Sequence, residues 1–493
     1  MTFLVAAVLM CASGVGLLRA LRLGTGRLVV DVPLGWFAGM AWFAAATFSI
    51  QALLGAPANA PLAIAVLALP PAAWCLLRWR RPGLVPSGGS EVPVLERRWM
   101  PRPAWLFAPM ATWSIVVLAA VVLHGLSTPT HTDDAYRVRA YAPILVAAGT
   151  WNGQARDVIA MAGPIPAFAP ALAWVLGAPV DPFHVNATIV LTFLALLALL
   201  VALASERGSP EAGWGAAFAL TSLPLLAYHV TSTYSDAWLA MYLGAAFAFL
   251  VAFGQRRDIA DAARALLLLL GAAMVKREGE LVAFPAVVLL LAQVAWVRRA
   301  EGVRSLARFA PPCAAYGVVV AARVAAVGLP GAFPFLRAAA ERAVSSGGAA
   351  ANATAVAGPV GAGGPASEPG VWAIFVAALF SDGNLGLLWW VLAVSVALLF
   401  PRISKDGLAW SGAALGLIFA ETAASALWLF PQFTLDHGTV HRSLLPVSAA
   451  AAVWLSALLV TACHPESAKA IPPGRRGDAA RSGSKGRPRR RGG

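Results

Sequence analysis

The stretch that decides the fold is ALLLLLGAAMVKREGELVAFPAVVLLLAQVAWV, residues 265–297, in which two apolar runs flank one charged interruption. As a single helix it would be about 50 Å long, which exceeds the ~30 Å hydrocarbon core of a bilayer. The loops on either side, residues 255–257 and 298–299, are both basic, and the positive-inside rule places both in the cytoplasm. An even number of crossings therefore separates them. The sequence predicts two membrane-spanning helices that turn at residues 276–280 on the outer side.

The composition of the whole chain agrees with a membrane protein. Of its 493 residues, 59% are hydrophobic and 12% are charged, and the mean hydropathy is +0.73. A soluble domain has about 25% charged residues. We expect an all-α, polytopic membrane protein with about 13 transmembrane helices (12–14). The predicted spans are residues 2–18, 29–54, 60–77, 104–126, 184–204, 210–228, 236–254, 262–276, 279–297, 306–330, 385–400, 408–430 and 443–462.

The basic loops set the predicted orientation, with the N-terminus outside and the C-terminus in the cytoplasm of a multi-pass protein of the inner or plasma membrane. Residues 1–103 form three spans and a linker, and residues 104–465 form a core with long outer loops at 127–183 and 331–384. Because residues 163–180 contain four prolines, they predict a re-entrant or interfacial helix. The net charge of +14 includes a basic tail at 466–493, which predicts disorder near anionic lipid and not a nucleic-acid partner.

Four polar clusters lie at predicted outer span ends: residues 131–139, 231–236, 276–280 and 436–442. Ionisable residues are costly in a membrane, so they mark candidate functional sites. Because all four clusters lie on the same predicted side, we expect them to form one site.

The first cluster contains the candidate catalytic residues Asp133 and Asp134. Two adjacent carboxylates repel each other, which favours one of them as a general base for a substrate hydroxyl. Carboxylate oxygens also suit a divalent cation such as Mg²⁺ or Mn²⁺, which makes such an ion the one possible cofactor. The sequence assigns no metal site. The structural alternative is that Asp133 caps a following helix. Tyr136 and Arg137 are further substrate-site candidates.

The cluster at residues 276–280 carries two cations on the predicted outer side, against the charge bias of the chain. Lys276 and Arg277, with Glu278 and later Arg442, are candidates for binding a lipid phosphate, because arginine binds phosphate bidentately and lysine acts as a point charge. Gly279 permits a tight turn or close approach there. The alternative is that the cations are anchors at the bilayer surface, with an internal ion pair to Glu278.

The remaining two clusters supply the last candidates. Asp236 opens a predicted span, where it is either a helix N-cap or a second acid in the site. His437 and His441 precede the last span and offer donors for an anion or a sugar. The alternative for this segment is an ordinary loop without a special role.

These segments together resemble the GT-C class of integral membrane glycosyltransferases, which includes protein O-mannosyltransferases and lipid A aminoarabinose transferases. The likeness covers about residues 104–461 and lies in the order of five short motifs. The motifs are TDDAY at 132–136, GPIP at 163–166, SDAWLAMY at 235–242, AMVKREG at 273–279 and HRSLLP at 441–446. Two positions depart from the class: Asp134 stands where many members have Glu, and Arg277 stands where Asn is commoner.

The resemblance implies a sugar donor on a polyprenyl phosphate and an acceptor glycan, lipid or protein at the outer face. Asp133 or Asp134 would take the acceptor proton, the anomeric configuration would invert, and polyprenyl phosphate would leave. Lys276, Arg277 and Arg442 would stabilise the phosphate.

Three other functions remain open from the sequence. A membrane transporter or lipid-linked-sugar flippase also holds charges in a bilayer, but it predicts them at mid-membrane. In this chain the charges gather at outer span ends, and Asp31 and Arg323 are the exceptions. A non-catalytic scaffold would tolerate neutralisation of Asp133 and Asp134. A glycan ligase or polymerase would use a polyprenyl diphosphate donor.

Overall fold

The computed structural model describes residues 1–80, 104–127, 163–232, 234–299, 306, 309–332, 370–405, 407–429 and 437–463. Within these ranges the chain is helical and forms no strand. The helices are α1 (Thr2–Ala20), α2 (Leu28–Leu54), α3 (Ala60–Arg80), α4 (Ala104–Ser127), α5 (Pro164–Val175), α6 (Pro182–Glu206), α7 (Pro210–Thr221), α8 (Pro224–Thr231), α9 (Ser235–Arg256), α10 (Ile259–Ala273), α11 (Arg277–Val297), α12 (Ala310–Ala332), α13 (Val371–Phe380), α14 (Leu388–Lys405), α15 (Ala409–Ala424, continued by a π-helical turn, Ser425–Leu429) and α16 (His437–Cys463).

Ten helices in the described ranges are long and apolar enough to cross a membrane. This supports the predicted all-helical, polytopic class. Three of the thirteen predicted spans are absent from these ten: residues 210–228, 262–276 and 385–400. The last two are helical but short, since α10 has 15 residues and the apolar part of α14 is Leu388–Pro401. At 1.5 Å per residue, α10 is about 22 Å long.

The predicted span at 210–228 is two helices, α7 and α8, so its prediction as one continuous helix was wrong. The break falls at Leu223, whose backbone is extended (φ −88°, ψ 102°), directly before Pro224. Proline has no N–H to donate and disfavours helical backbone in the residue before it. Pro224 instead takes the first position of the next helix, where a missing N–H costs nothing.

Residues 265–297 form two helices with a turn between them, as predicted, but the turn lies at residues 274–276 and not at 276–280. Helix α10 ends at Ala273 and α11 begins at Arg277, with Lys276 at the N-cap position in extended backbone (φ −160°, ψ 169°). The two helices pack against each other, and Gly279 makes this possible. A Cβ atom at Gly279 would lie 2.3 Å from the Ala272 carbonyl oxygen.

Helix α9 is the centre of the structure. Its side chains are buried from Asp236 to Phe253, and it packs against α16, α10 and α6. A helix that is apolar on all sides needs neighbours on all sides. Its far end passes so close to Gly407 that a Cβ at Gly254 would lie 2.1 Å from the Gly407 carbonyl oxygen.

The three N-terminal helices share one hydrophobic core with the rest of the described chain. Glycine allows α1 and α2 to approach closely, because a Cβ at Gly14 would lie 1.8 Å from the Gly35 carbonyl oxygen. Small residues at helix interfaces are typical of membrane proteins. Helix α2 also contacts α5, α6, α10 and α12, and the Tyr242 hydroxyl of α9 donates to the Phe37 carbonyl at 2.9 Å.

Helix α5 lies in the proline-rich segment for which a re-entrant or interfacial helix was predicted. All of its side chains from Pro164 to Trp174 are buried, and it packs against α2 and α6. The helix exists as predicted, and its surroundings are other helices of the protein.

A second group of charges lies at the opposite end of α9. Asp261 pairs with Arg207 at 3.0 Å and with Arg264 at 2.7 Å, and Arg264 Nε donates to the Leu23 carbonyl at 2.6 Å. Asp31 caps the neighbouring loop by accepting from the backbone N–H of Thr25 at 2.6 Å. These contacts join the loop before α2 to α6 and α10, so Asp31 has a structural role.

Candidate functional site

The candidate site centres on Asp236 in the first turn of α9. Its side chain is 1% exposed, and two cations bind it. Lys276 forms an ion pair with Oδ1, and Arg442 Nε donates to Oδ2 at 2.9 Å. The three residues come from α9, from the turn before α11, and from the first turns of α16. Three of the four predicted outer clusters therefore meet at one carboxylate.

Asp236 is the counter-ion of this site and does not cap its helix. The N-cap of α9 is Tyr234, and Asp236 is the second helical residue. Both carboxylate oxygens accept from cations. Of the two alternatives considered for Asp236 from the sequence, the N-cap is wrong, and a second acid in the site stays a prediction.

The charge of this cluster favours an anion. Lys276 and Arg442 contribute two positive charges against one negative charge on Asp236, which leaves one net positive charge. Glu278 lies 3.9 Å from Lys276, but its side chain is 61% exposed, so solvent weakens its effect. Burial alone lowers the pKa of the Lys276 ammonium, but Asp236 and Glu278 outweigh burial and raise that pKa above its usual value. Lys276 therefore stays charged at physiological pH.

The turn that carries Lys276 is also held by the start of α5. The Gly163 N–H donates to the Val275 carbonyl at 3.0 Å, and the Ile165 N–H donates to the Met274 carbonyl at 3.2 Å. This contact requires glycine, because a Cβ at Gly163 would lie 2.0 Å from the Met274 carbonyl oxygen. The proline-rich segment thus fixes the backbone next to Lys276.

We expect Gly163→Ala to destabilise the protein by about 1–3 kcal/mol, because the added methyl group must push the Met274 carbonyl away. The backbone of Gly163 (φ −66°, ψ 169°) is one that alanine also adopts, so the cost comes from the clash. Thermal unfolding of the purified protein measures the effect. Gly317→Ala is the matched control, because a Cβ there meets nothing within 4 Å. Equal stability of the two variants would contradict the close contact.

Two aromatic rings extend the cluster on the side of Arg442. The Arg442 guanidinium lies over the Tyr234 ring, 4.5 Å from its centroid, and Tyr234 stacks on the buried His229 with centroids 4.5 Å apart. A cation over an aromatic face is stabilised by the ring quadrupole. Sequence reasoning did not select Tyr234 or His229, although Tyr234 lies within the predicted cluster at 231–236.

His441 pairs with Asp382. Its Nε2 lies 3.0 Å from Asp382 Oδ2, and the His441 side chain is 6% exposed. This contact ties the turn after α13 to the start of α16, next to Arg442. Asp382 was not predicted, because it lies in a short polar turn at 381–384 with no motif around it.

A further buried ion pair adjoins the Lys276 turn. Glu280 in α11 pairs with Arg323 of α12 and accepts the Tyr316 hydroxyl at 2.6 Å. Arg323 had been singled out from the sequence as a charge far from the outer clusters. Its partner belongs to the cluster at 276–280, so it is part of the same region. Glu280 and Tyr316 were not predicted.

Several predicted residues lie outside the described chain. These are the candidate catalytic residues Asp133 and Asp134 and the neighbouring Tyr136 and Arg137. Only the backbone of Arg277 and His437 is described. The residues that the structure describes hold no group of three or more His, Cys, Asp or Glu side chains suited to a metal ion.

No family model, curated protein or solved structure matches the chain. The residues that the structure describes are helical, with ten apolar helices of membrane-spanning length and a buried, net-cationic site where three helix ends meet.

Proposed function

We propose that the protein is an inverting glycosyltransferase that moves a sugar from a polyprenyl-phosphate donor to an acceptor at the outer face of the membrane. The observation that carries this proposal is the meeting of Lys276 and Arg442 on Asp236 at one end of the central helix. The phosphate of a lipid-linked sugar carries its negative charge beside the ends of such apolar helices.

The two cations suit the leaving phosphate because they are held in place before it binds. The contacts with Asp236 fix both side chains, through Lys276 Nζ and Arg442 Nε. The Arg442 side chain is 34% exposed, so a ligand can reach it. Positioned cations stabilise charge that develops in a transition state without costly reorganisation.

An apolar groove of about 390 Å³ supports a lipid-linked donor. It lies between α4, α7, α14 and α16, and Leu455 and Leu459 of α16 line it. Leu455 comes 13 residues after Arg442 in the same helix, about 20 Å along its axis. A polyprenyl chain is long enough to span that distance.

The reaction follows from these assignments. The acceptor hydroxyl or amine attacks the anomeric carbon and forms the new glycosidic bond, while the bond from that carbon to the phosphate oxygen breaks. Asp133 or Asp134 takes the acceptor proton, and polyprenyl phosphate leaves with the electron pair. Lys276 and Arg442 bind the phosphate as its charge grows.

The test is release of polyprenyl phosphate by the purified protein in proteoliposomes that contain polyprenyl-phosphate sugars and a cell-envelope extract as acceptor. We expect one of Asp133→Asn and Asp134→Asn to lose about 100-fold in rate, which is typical for removal of a general base. The other variant should release polyprenyl phosphate at a rate closer to that of the native chain, which identifies its residue as not the base. Equal release by both variants and the native chain would exclude the carboxylate base.

The alternative is a transporter or flippase for a lipid-linked sugar. The buried Glu280–Arg323 pair within two apolar helices favours it, because charged pairs inside a membrane often line ion or substrate pathways. Movement of the intact donor between leaflets of the same proteoliposomes, without release of polyprenyl phosphate, would establish this alternative.

A further inference from the structure

Glu280 is an acid near the site whose contacts are with helix α12. Glu280 is 1% exposed and lies four residues after Lys276, in the first turn of α11. Its Oε1 pairs with Arg323 and accepts the Tyr316 hydroxyl. Tyr316 and Arg323 are seven residues apart and therefore lie on one face of α12.

These side chains connect α11 to α12. Apart from them, the Phe284 ring meets the Tyr316 ring edge-on, with centroids 5.9 Å apart. Helix α12 packs mainly against α2 and α10. The Glu280 contacts thus connect the first turn of α11 to a helix that is anchored elsewhere in the core.

Three contacts support the turn before α11: one before Lys276, one at Lys276 and one after it. Asp236 binds the Lys276 side chain, and the start of α5 binds the backbone at Met274 and Val275. Glu280 holds the helix that follows. The Lys276 side chain makes no cap hydrogen bond at the N-terminus of α11, and the body of α11 packs against α10 and α15, so these three contacts act on its first turn.

We propose that Glu280 is a positioning residue: through Arg323 and Tyr316 it holds the first turn of α11 so that Lys276 meets the substrate phosphate. This inference rests on the function proposed above, but its test measures binding and does not need transfer. Glu280 does not touch the phosphate. Its effect on phosphate binding must therefore pass through Lys276.

The experiment measures equilibrium binding of a fluorescent polyprenyl monophosphate to the full chain in nanodiscs. Uncharged polyprenol with the same fluorophore reports binding of the hydrocarbon alone. The variants are Lys276→Ala, Glu280→Gln, Tyr316→Phe and the double variant Lys276→Ala/Glu280→Gln. The control is Asp258→Asn, at the N-cap of α10 at the opposite end of α9, where asparagine caps a helix as well as aspartate does.

We expect Glu280→Gln to weaken binding of polyprenyl monophosphate about tenfold and to leave polyprenol binding unchanged. Tyr316→Phe removes one hydrogen bond and should weaken phosphate binding about threefold. The double variant should bind no more weakly than Lys276→Ala alone, because Glu280 acts only through Lys276. If Glu280→Gln does not fold, Tyr316→Phe alone decides between the outcomes.

Two results would overturn the inference and leave the phosphate site standing. One is normal phosphate binding in Glu280→Gln and Tyr316→Phe while Lys276→Ala binds weakly. The other is additive loss in the double variant, since Glu280 would then act independently of Lys276. Unchanged binding in Lys276→Ala would instead overturn the phosphate site, and the role of Glu280 with it.

Discussion

Replacement of Asp236 by asparagine should destabilise the protein by about 3–5 kcal/mol, because it leaves two cations without their shared counter-ion. Lys276 is 14% exposed, so water replaces the lost carboxylate only in part. The loss should appear as a lower midpoint of thermal unfolding in detergent. The control is Asp258→Asn, which changes the same residue type at an exposed helix N-cap.

A double variant tests whether the instability of Asp236→Asn comes from the unpaired charge of Lys276. Asp236→Asn/Lys276→Met removes one charge of each sign, and apolar replacement of a buried ion pair is often neutral for stability. We expect the double variant to recover much of the stability of the native chain while transfer stays absent. If Asp236→Asn alone unfolds like the native protein, the buried ion pairs described here do not stabilise it.

Replacement of Lys276 by alanine should lower the rate of sugar transfer by about 100- to 1,000-fold, as expected for loss of one positioned charge at a developing anion. The measurement is release of polyprenyl phosphate under saturating donor, with KM determined separately. Lys276→Arg keeps the charge and should retain more activity than Lys276→Ala. It should stay less active than the native chain, because the planar guanidinium does not fit the site of a compact ammonium.

The matched control for this prediction is Arg299→Ala, which removes a cation from the other end of α11. Arg299 is exposed and lies over the Trp296 ring, 5.6 Å from its centroid. Its loss should leave transfer unchanged. Equal rates for Lys276→Ala and Arg299→Ala would show that a cation at the Lys276 turn has no special part in the reaction.

Much of the site could be predicted from the sequence, because ionisable residues are few in an apolar chain and cost free energy within a membrane. A lysine, an arginine and two acids within residues 276–280 interrupt an apolar stretch that is too long for one span, so a turn follows from length alone. The basic loops put all four polar clusters on one predicted side, and three of the four include residues that the structure describes. The structure confirms that residues of these three clusters meet.

The pairing of individual residues could not be predicted in the same way. Glu280 is 43 residues from Arg323, and Arg442 is 206 residues from Asp236. Which side chains meet depends on the rotation of each helix about its axis, and that rotation is set by packing against several neighbours. The break at Pro224 was a different case, because the local signal was present and the apolar character of residues 210–228 outweighed it.

The sequence by itself determined that the chain is helical, that it is apolar enough for a membrane, and that it turns at Lys276, because hydropathy, length and proline act over a few residues. Only the tertiary structure decided that Asp236 is the shared counter-ion of Lys276 and Arg442, and that Glu280 connects α11 to α12. The physical reason is that a buried charge is stable only beside its partner, and packing of distant helices brings the partners together.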